Sequence, residues 1–313
     1  MQKIKVVLCG EKAVAEHCLA FLANRRDTEV CAIVTAPKDW QADLISWGTK
    51  RRIKVFVGNI NDYLDELTQM KLDFVISVQY RPLLKSPILN LPRLGCINLH
   101  FGLLPKYGGC YPIAWSILNN EKEAGATLHY MVENFDEGNI ISQTSVPISP
   151  NTTARSLFDA VSEAAFHLFA ETYPKLCRGE ADSQPQDLSM KLYYGADSID
   201  FERDSVVCWE NEPAEIQTQI RAFTFEPFQL PNAFLLLPGG ERRKVTMAES
   251  RLRDLDSKAL LKGPGQVVSV NPSGTLTIAT GGRQAIDIGL LDGQNPRDFL
   301  VSLGTSPQGA VFL

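Results

Sequence analysis

The stretch Met1-Gln-Lys-Ile-Lys-Val-Val-Leu-Cys-Gly10 carries a short apolar, β-branched run at Ile4–Leu8, which Glu11 and Lys12 then interrupt. That length suits a buried strand and is too short for a bilayer span or a secretory signal. Val14–Leu22 follows with helical spacing, Ala15, Cys18, Leu19 and Leu22 falling on one face, and Val30–Val34 is a second strand candidate. Ile60–Met70 reads as a helix, and Phe74–Val78 and Cys96–Leu99 as strands. This β-α-β rhythm predicts an α/β fold with a mostly parallel sheet covered by helices on both faces. Ligands of such sheets gather beyond the carboxyl ends of the strands. Farther on, Pro112–Leu118 reads as a helix, Gly125–Met131 as a strand, and Thr153–Leu176 as a long amphipathic helix capped near Asn151 or Thr152.

The text turns polar at Gly179–Ser189, which reads as the start of a linker. Beyond it a helix is expected over Ala214–Phe223. Short strand-like runs follow at Phe234–Leu237, Lys244–Ala248, Gln266–Val270, Leu276–Ala279 and Ala285–Leu290, broken by Pro238-Gly-Gly240 and Gly263-Pro-Gly265. Such spacing predicts a small β-barrel-like, OB-like domain. The expected division is therefore a Rossmann-like domain over 1–190 and a small barrel over 191–313. Two domains also suit 313 residues at roughly 100–200 residues each.

Composition narrows the function classes. Hydrophobic residues at 44% and charged residues at 21% argue against a long disordered tail, and a net charge of −5 disfavours a protein that coats a phosphate backbone. The seven cysteines are scattered and form no C-x-x-C pair, so reduced thiols in a cytoplasmic protein are expected, without a zinc knuckle or a disulfide framework. Four histidines make no His-rich metal site, and no metal is expected. Leu8-Cys9-Gly10-Glu11-Lys12 has one glycine where a dinucleotide fingerprint needs three, and no Walker-A loop occurs.

The chemistry-bearing text runs from Gly95 to Gln143. It opens Gly95-Cys-Ile-Asn98-Leu-His100-Phe-Gly-Leu-Leu-Pro105-Lys-Tyr-Gly-Gly109-Cys-Tyr-Pro112. Asn98 and His100 stand two apart at a strand end, so both side chains share a face. An amide donor beside an imidazole suits a developing oxyanion and a proton transfer. Asp136 follows in a tight Asp-x-Gly loop after a buried strand, where a carboxylate can orient the imidazole. Each residue alone also fits a structural role: Asn98 satisfying loop backbone, His100 packed at a strand end, Asp-x-Gly making a turn. The ordered combination points to catalysis.

Residues Asn98 to Asp136 resemble the catalytic core of the formyltransferases that use 10-formyltetrahydrofolate. The resemblance extends through the first domain and, more faintly, into the second at Ile220-Arg-Ala-Phe223. The layout is similar to methionyl-tRNA formyltransferases and to some nucleotide-sugar N-formyltransferases. It implies catalytic roles for Asn98, His100 and Asp136, and 10-formyltetrahydrofolate as co-substrate. Val78-Gln-Tyr-Arg-Pro-Leu-Leu84 looks like the loop that cradles the pterin, so the resemblance assigns Pro82, Leu83, Leu84, Cys110, Val132, Glu133, Asn134 and Phe135 to the folate site. Core packing remains an alternative for Leu83 and Leu84, and an inert thiol for Cys110. Pro105, Lys106, Tyr107 and Gly108 are the corresponding acceptor contacts, while His129 and Tyr130 read as structural.

Departures from the family bear on the acceptor. Where tRNA-acting members carry a basic, Pro/Gly-rich insertion, this chain has the short, mixed-charge Ala36-Pro-Lys-Asp-Trp-Gln-Ala-Asp43. The Lys-Tyr-Arg-Gly motif of many relatives is here Lys106-Tyr-Gly-Gly109, and Lys50-Arg-Arg52 reads as a solvated helix end. With the acidic balance, this favours a small amine acceptor, a nucleotide-linked amino sugar. A tRNA acceptor is the alternative, since the second domain is retained; a formyl-folate hydrolase and a non-catalytic folate-binding protein are further alternatives. No membrane association is expected. Some relatives dimerise through the second domain, which keeps a homodimer open.

Overall fold

The computed structural model describes residues 3–37, 43–254, 263–272, 274–282, 284–290, 295–306 and 309–313. The middle of the mixed-charge segment, 38–42, lies outside the described residues.

The chain begins with β1 (Ile4–Gly10), α1 (Lys12–Ala23), β2 (Thr28–Thr35), α2 (Leu44–Lys50), β3 (Lys54–Val57), a 3₁₀ turn at Ile60–Tyr63, α3 (Leu64–Gln69) and β4 (Phe74–Val78). It continues through α4 (Ser86–Leu89), β5 (Gly95–His100), β6 (Gly108–Gly109), α5 (Pro112–Leu118), β7 (Glu123–Tyr130), β8 (Ile140–Pro147), α6 (Ala154–Arg178) and β9 (Tyr193–Tyr194). The expected face of α1 is the buried one, Ala15, Cys18, Leu19 and Leu22 together with Val14. The cap of α6 falls one residue later than expected. The Ser156 N–H donates to Thr153 Oγ1 at 3.2 Å, because a side-chain oxygen must stand three residues before the orphan donor.

Seven strands form one sheet in the order β3-β2-β1-β4-β5-β7-β8. The pairs from β3 to β5 are parallel, and β5–β7 and β7–β8 are antiparallel. Parallel strands covered on both faces need apolar residues throughout, and β4 is buried at all five positions. Val7, Val34, Phe56, Val75 and Leu84 belong to one core cluster of this part.

Contacts divide the chain into two compact units. The first is Met1–Pro112, Glu123–Pro147 and Asp159–Gly195; the second is Ile113–Lys122, Ile148–Phe158 and Ala196–Leu313. The polar segment after α6 thus packs with the first unit as far as Gly195.

The second unit adds α7 (Phe201–Asp204), α8 (Pro213–Phe223), β10 (Asn232–Leu236), β11 (Arg242–Asp254), β12 (Val267–Val270), β13 (Thr275–Ala279), β14 (Gln284–Leu290), α9 (Pro296–Ser302) and β15 (Val311–Phe312). Its six-stranded antiparallel sheet runs β12-β13-β14-β11-β10-β15. A bridge between Gln266 and Val311 joins the two ends, as a barrel requires. Trp209, Ile216, Ile220, Leu276, Ile286 and Phe312 fill its core. Among the described residues no helix is long and apolar enough to cross a membrane.

Candidate active site

Asn98 and His100 end β5, and β7 runs antiparallel beside them, with Asn98 opposite His129 and His100 opposite Thr127. The two-residue period puts all four side chains on one face. Asn98 Nδ2 lies 3.2 Å from His129 Nε2. His129 Nδ1 lies 2.8 Å from the Tyr130 carbonyl, so that nitrogen carries a proton and donates it. In the neutral ring Nε2 is then an acceptor for the Asn98 amide.

His100 Nε2 is 2.7 Å from the Tyr107 carbonyl and must be the donor. Its Nδ1 is thereby turned towards Asp136 Oδ2, 3.8 Å away. That distance is within reach of charge attraction but beyond a hydrogen bond. Asp136 Oδ2 accepts the Gly109 N–H at 2.8 Å, and Oδ1 lies 3.5 Å from His129 Nε2. Burial opposes the charge on Asp136, but His100, His129 and the Gly109 N–H outweigh it and hold the carboxyl well below the usual carboxylate range.

The loop after β5 is fixed from β7. Thr127 Oγ1 donates to the Gly102 carbonyl at 2.6 Å and accepts the Leu104 N–H at 3.1 Å. Gln143 Nε2 donates to both the Leu104 carbonyl and Thr127 Oγ1. Gly102 is required by closeness: a Cβ there would stand 2.5 Å from the Tyr107 carbonyl oxygen and 2.7 Å from His100 Nε2. Asp136 itself has φ 56°, a left-handed conformation that Asp tolerates better than most residues.

The expected folate residues divide. Leu83 is 42% exposed, whereas Leu84 is 2% exposed and packs in the core, so only Leu83 of the pair is open to a ligand. Pro82 is half-buried. Val132 and Phe135 are exposed, and Ser86 Oγ donates to Glu133 Oε1, tying the start of α4 to the loop after β7. Asn134 Nδ2 donates to Glu137 Oε2. Cys110 is half-buried; burial and the nearby Asp136 charge push its thiol up, so it stays protonated.

The expected acceptor residues differ in exposure. Pro105 and Lys106 are half-buried, but Tyr107 and Gly108 are buried. The Tyr107 ring stacks on Tyr194, and the Gly108 N–H donates to the Leu192 carbonyl, because β6 pairs with β9. The Tyr107 carbonyl is what meets His100 Nε2. His129, read from the sequence as structural, stands beside both Asn98 and Asp136. Its signal was present: Thr127-x-His129 has the same alternation as Asn98-x-His100.

The formyl transferase family matches residues 3–172, and the formyl transferase C-terminal domain matches residues 201–299. The bifunctional polymyxin resistance protein ArnA of Wigglesworthia glossinidia brevipalpis is 31% identical over 253 residues, 78% of this chain and 37% of that protein's length. A methionyl-tRNA formyltransferase of Halalkalibacterium halodurans is 35% identical over 225 residues, 72% of this chain and 67% of the relative. The crystal structure of the N-formyltransferase of Helicobacter canadensis with folinic acid and dTDP-3-aminofucose superposes with a TM-score of 0.72 at 23% identity, covering 92% of this chain and 99% of that one, which shows a shared fold.

Proposed function

The chain belongs to the formyl transferase family, and on that premise we propose that it transfers a formyl group from 10-formyltetrahydrofolate to the primary amine of a nucleotide-linked amino sugar. The observation that carries this reading is the convergence of Asn98, His100 and Asp136, with the Asp136 carboxylate beside both imidazoles. When bound, 10-formyltetrahydrofolate supplies an activated formyl carbonyl on a nitrogen leaving group. The exposed apolar side chains of Leu83, Val132 and Phe135 fit that group, since a planar pterin wants apolar walls.

The acceptor attacks as a neutral amine. Free α-amino groups titrate at roughly 7.7–8.0, so losing the first proton near neutral pH needs modest help. Asn98 and the Nδ1–H of protonated His100, whose Nε2 is held by the Tyr107 carbonyl, donate hydrogen bonds to the formyl oxygen as negative charge develops there, and one such donor is worth roughly 10²–10³ in rate. Asp136 stabilises the charged His100 and assists movement of the second amine proton to the leaving folate nitrogen. One C–N bond forms and one breaks, the acceptor gives up a proton and the leaving nitrogen gains one.

The sugar acceptor is supported by glycine at position 108 where many relatives carry arginine, by the short segment 36–43, and by the net charge of −5. The Helicobacter neighbour with an amino-sugar nucleotide agrees. The second reading is formylation of methionyl-tRNA, which the 35% identical relative favours. The unpaired thiols support a reducing, cytoplasmic setting. Incubating the protein and formyl donor with a panel of nucleotide-linked amino sugars and with charged initiator tRNA separates the readings. Formylation of at least one sugar and not of the tRNA is expected; formylation of the tRNA alone overturns the sugar acceptor.

A further inference from the structure

The segment after α6 is wired into the site. Gln184 exchanges two main-chain hydrogen bonds with Ile140, both at 2.8 Å. Lys191 Nζ meets Glu137 Oε1 at 2.6 Å, the Gly108 N–H donates to Leu192, and the Cys110 N–H donates to Tyr194. Residues 184–194 therefore hold both the glycine loop and the Asp136 loop.

Gln186 makes the contact nearest the chemistry. Its Nε2 donates to the carbonyls of Asp136 and of Gly138, each at 2.7 Å. Two carbonyl acceptors fix the amide's orientation, since only the NH₂ end can donate. Oε1 is thereby turned into a buried position with no hydrogen-bond partner among the described residues. Both donors are spent on the main chain of the turn that holds Asp136 at φ 56°.

We propose that Gln186 is a positioning residue for formyl transfer: its two hydrogen bonds set the main chain at Asp136 and Gly138, and so the distances from the Asp136 carboxylate to His100, His129 and the Gly109 N–H. The inference rests on the reading of Asp136 as a catalytic group. Displacement of such a group by about 1 Å costs on the order of 100-fold in rate.

The test compares Gln186→Met, Gln186→Glu and Asp136→Asn for kcat, both KM values, the kcat–pH profile and thermal stability. Gln186→Met keeps the volume, removes both donors and removes the orphan oxygen. It is expected to lower kcat on the order of 10–100-fold, with Tm lowered only modestly as two carbonyls lose their donor, both KM values little changed and the pH profile shifted. Gln186→Glu is expected to be slower still near neutrality, where its carboxylate faces two carbonyls, and to recover partly as pH falls and the carboxyl regains a donor. Wild-type kcat and pH profile in Gln186→Met, beside an inactive Asp136→Asn, overturn the inference and leave the catalytic reading intact. Loss of stability in step with kcat, or failure of both Gln186 variants to fold, marks the residue as structural and also overturns it. Near-normal turnover by Asp136→Asn overturns the reading itself.

Discussion

Asn98 and His129 face each other across the β5–β7 pair, amide nitrogen to ring nitrogen at 3.2 Å, and the opposite ring nitrogen is anchored on the Tyr130 carbonyl. The ring is buried, so its tautomer is set by that carbonyl and not by solvent. His129 thereby fixes which way the Asn98 amide points. Replacing His129 with Phe keeps a ring and removes the acceptor. A fall in kcat on the order of 10-fold or more, with donor KM little changed, is expected from steady-state kinetics; an unchanged kcat would show that Asn98 needs no such anchor.

The Asp136 carboxyl is held below the usual range, which fixes the sign of its pH effect. A depressed carboxyl contributes stability that is fully present above its unfolded value of about 3.9 and is lost as pH falls through the folded value. The Tm difference between the native protein and Asp136→Asn is therefore expected to shift between pH 5 and pH 2, at the expense of the native protein. Thermal melts across that range check it.

Gly102→Ala drives a methyl group against the Tyr107 carbonyl and His100 Nε2 at once. The imidazole loses its hydrogen bond or the loop shifts. A stability loss of about 1–3 kcal/mol by urea denaturation is expected, together with a kcat loss larger than stability alone explains.

Leu83 and Leu84 are neighbours with different duties. Leu84→Ala is expected to cost about 2–5 kcal/mol, as a core truncation does. Leu83→Ser is expected to leave stability within about 0.5 kcal/mol and to raise the donor KM, because an exposed side chain contributes little to folding. Equal stability losses would contradict the division of this loop into core and ligand wall.

Much of this was legible in the sequence. Phe74–Val78 and Pro112–Leu118 coincide with β4 and α5 because apolar runs bounded by turn residues carry strong local signals. β3 was not legible: Lys54-Val-Phe-Val57 is short and mixed, as an edge strand is. β8 reads Ile-Ile-Ser-Gln-Thr-Ser-Val-Pro, with too little apolar text to stand out. α2 contains Gly48, which reads as a breaker; the structure shows a close approach, where a Cβ would stand 2.6 Å from Val55 Cγ2. Asn98, His100 and Asp136 could be found because their order forms a pattern. Gln186 could not, since its partners are main-chain carbonyls some 50 residues earlier.

The most direct measurement is the single-turnover rate of formyl transfer by His100→Ala, with 10-formyltetrahydrofolate and the best acceptor of the sugar panel. His100 is positioned by the Tyr107 carbonyl and faces Asp136. In the proposed reaction its protonated ring serves the formyl oxygen. Transfer is predicted to be abolished while the folded state and donor binding are retained. Transfer at near the native rate would contradict a catalytic role for His100 and, with it, the proposed chemistry.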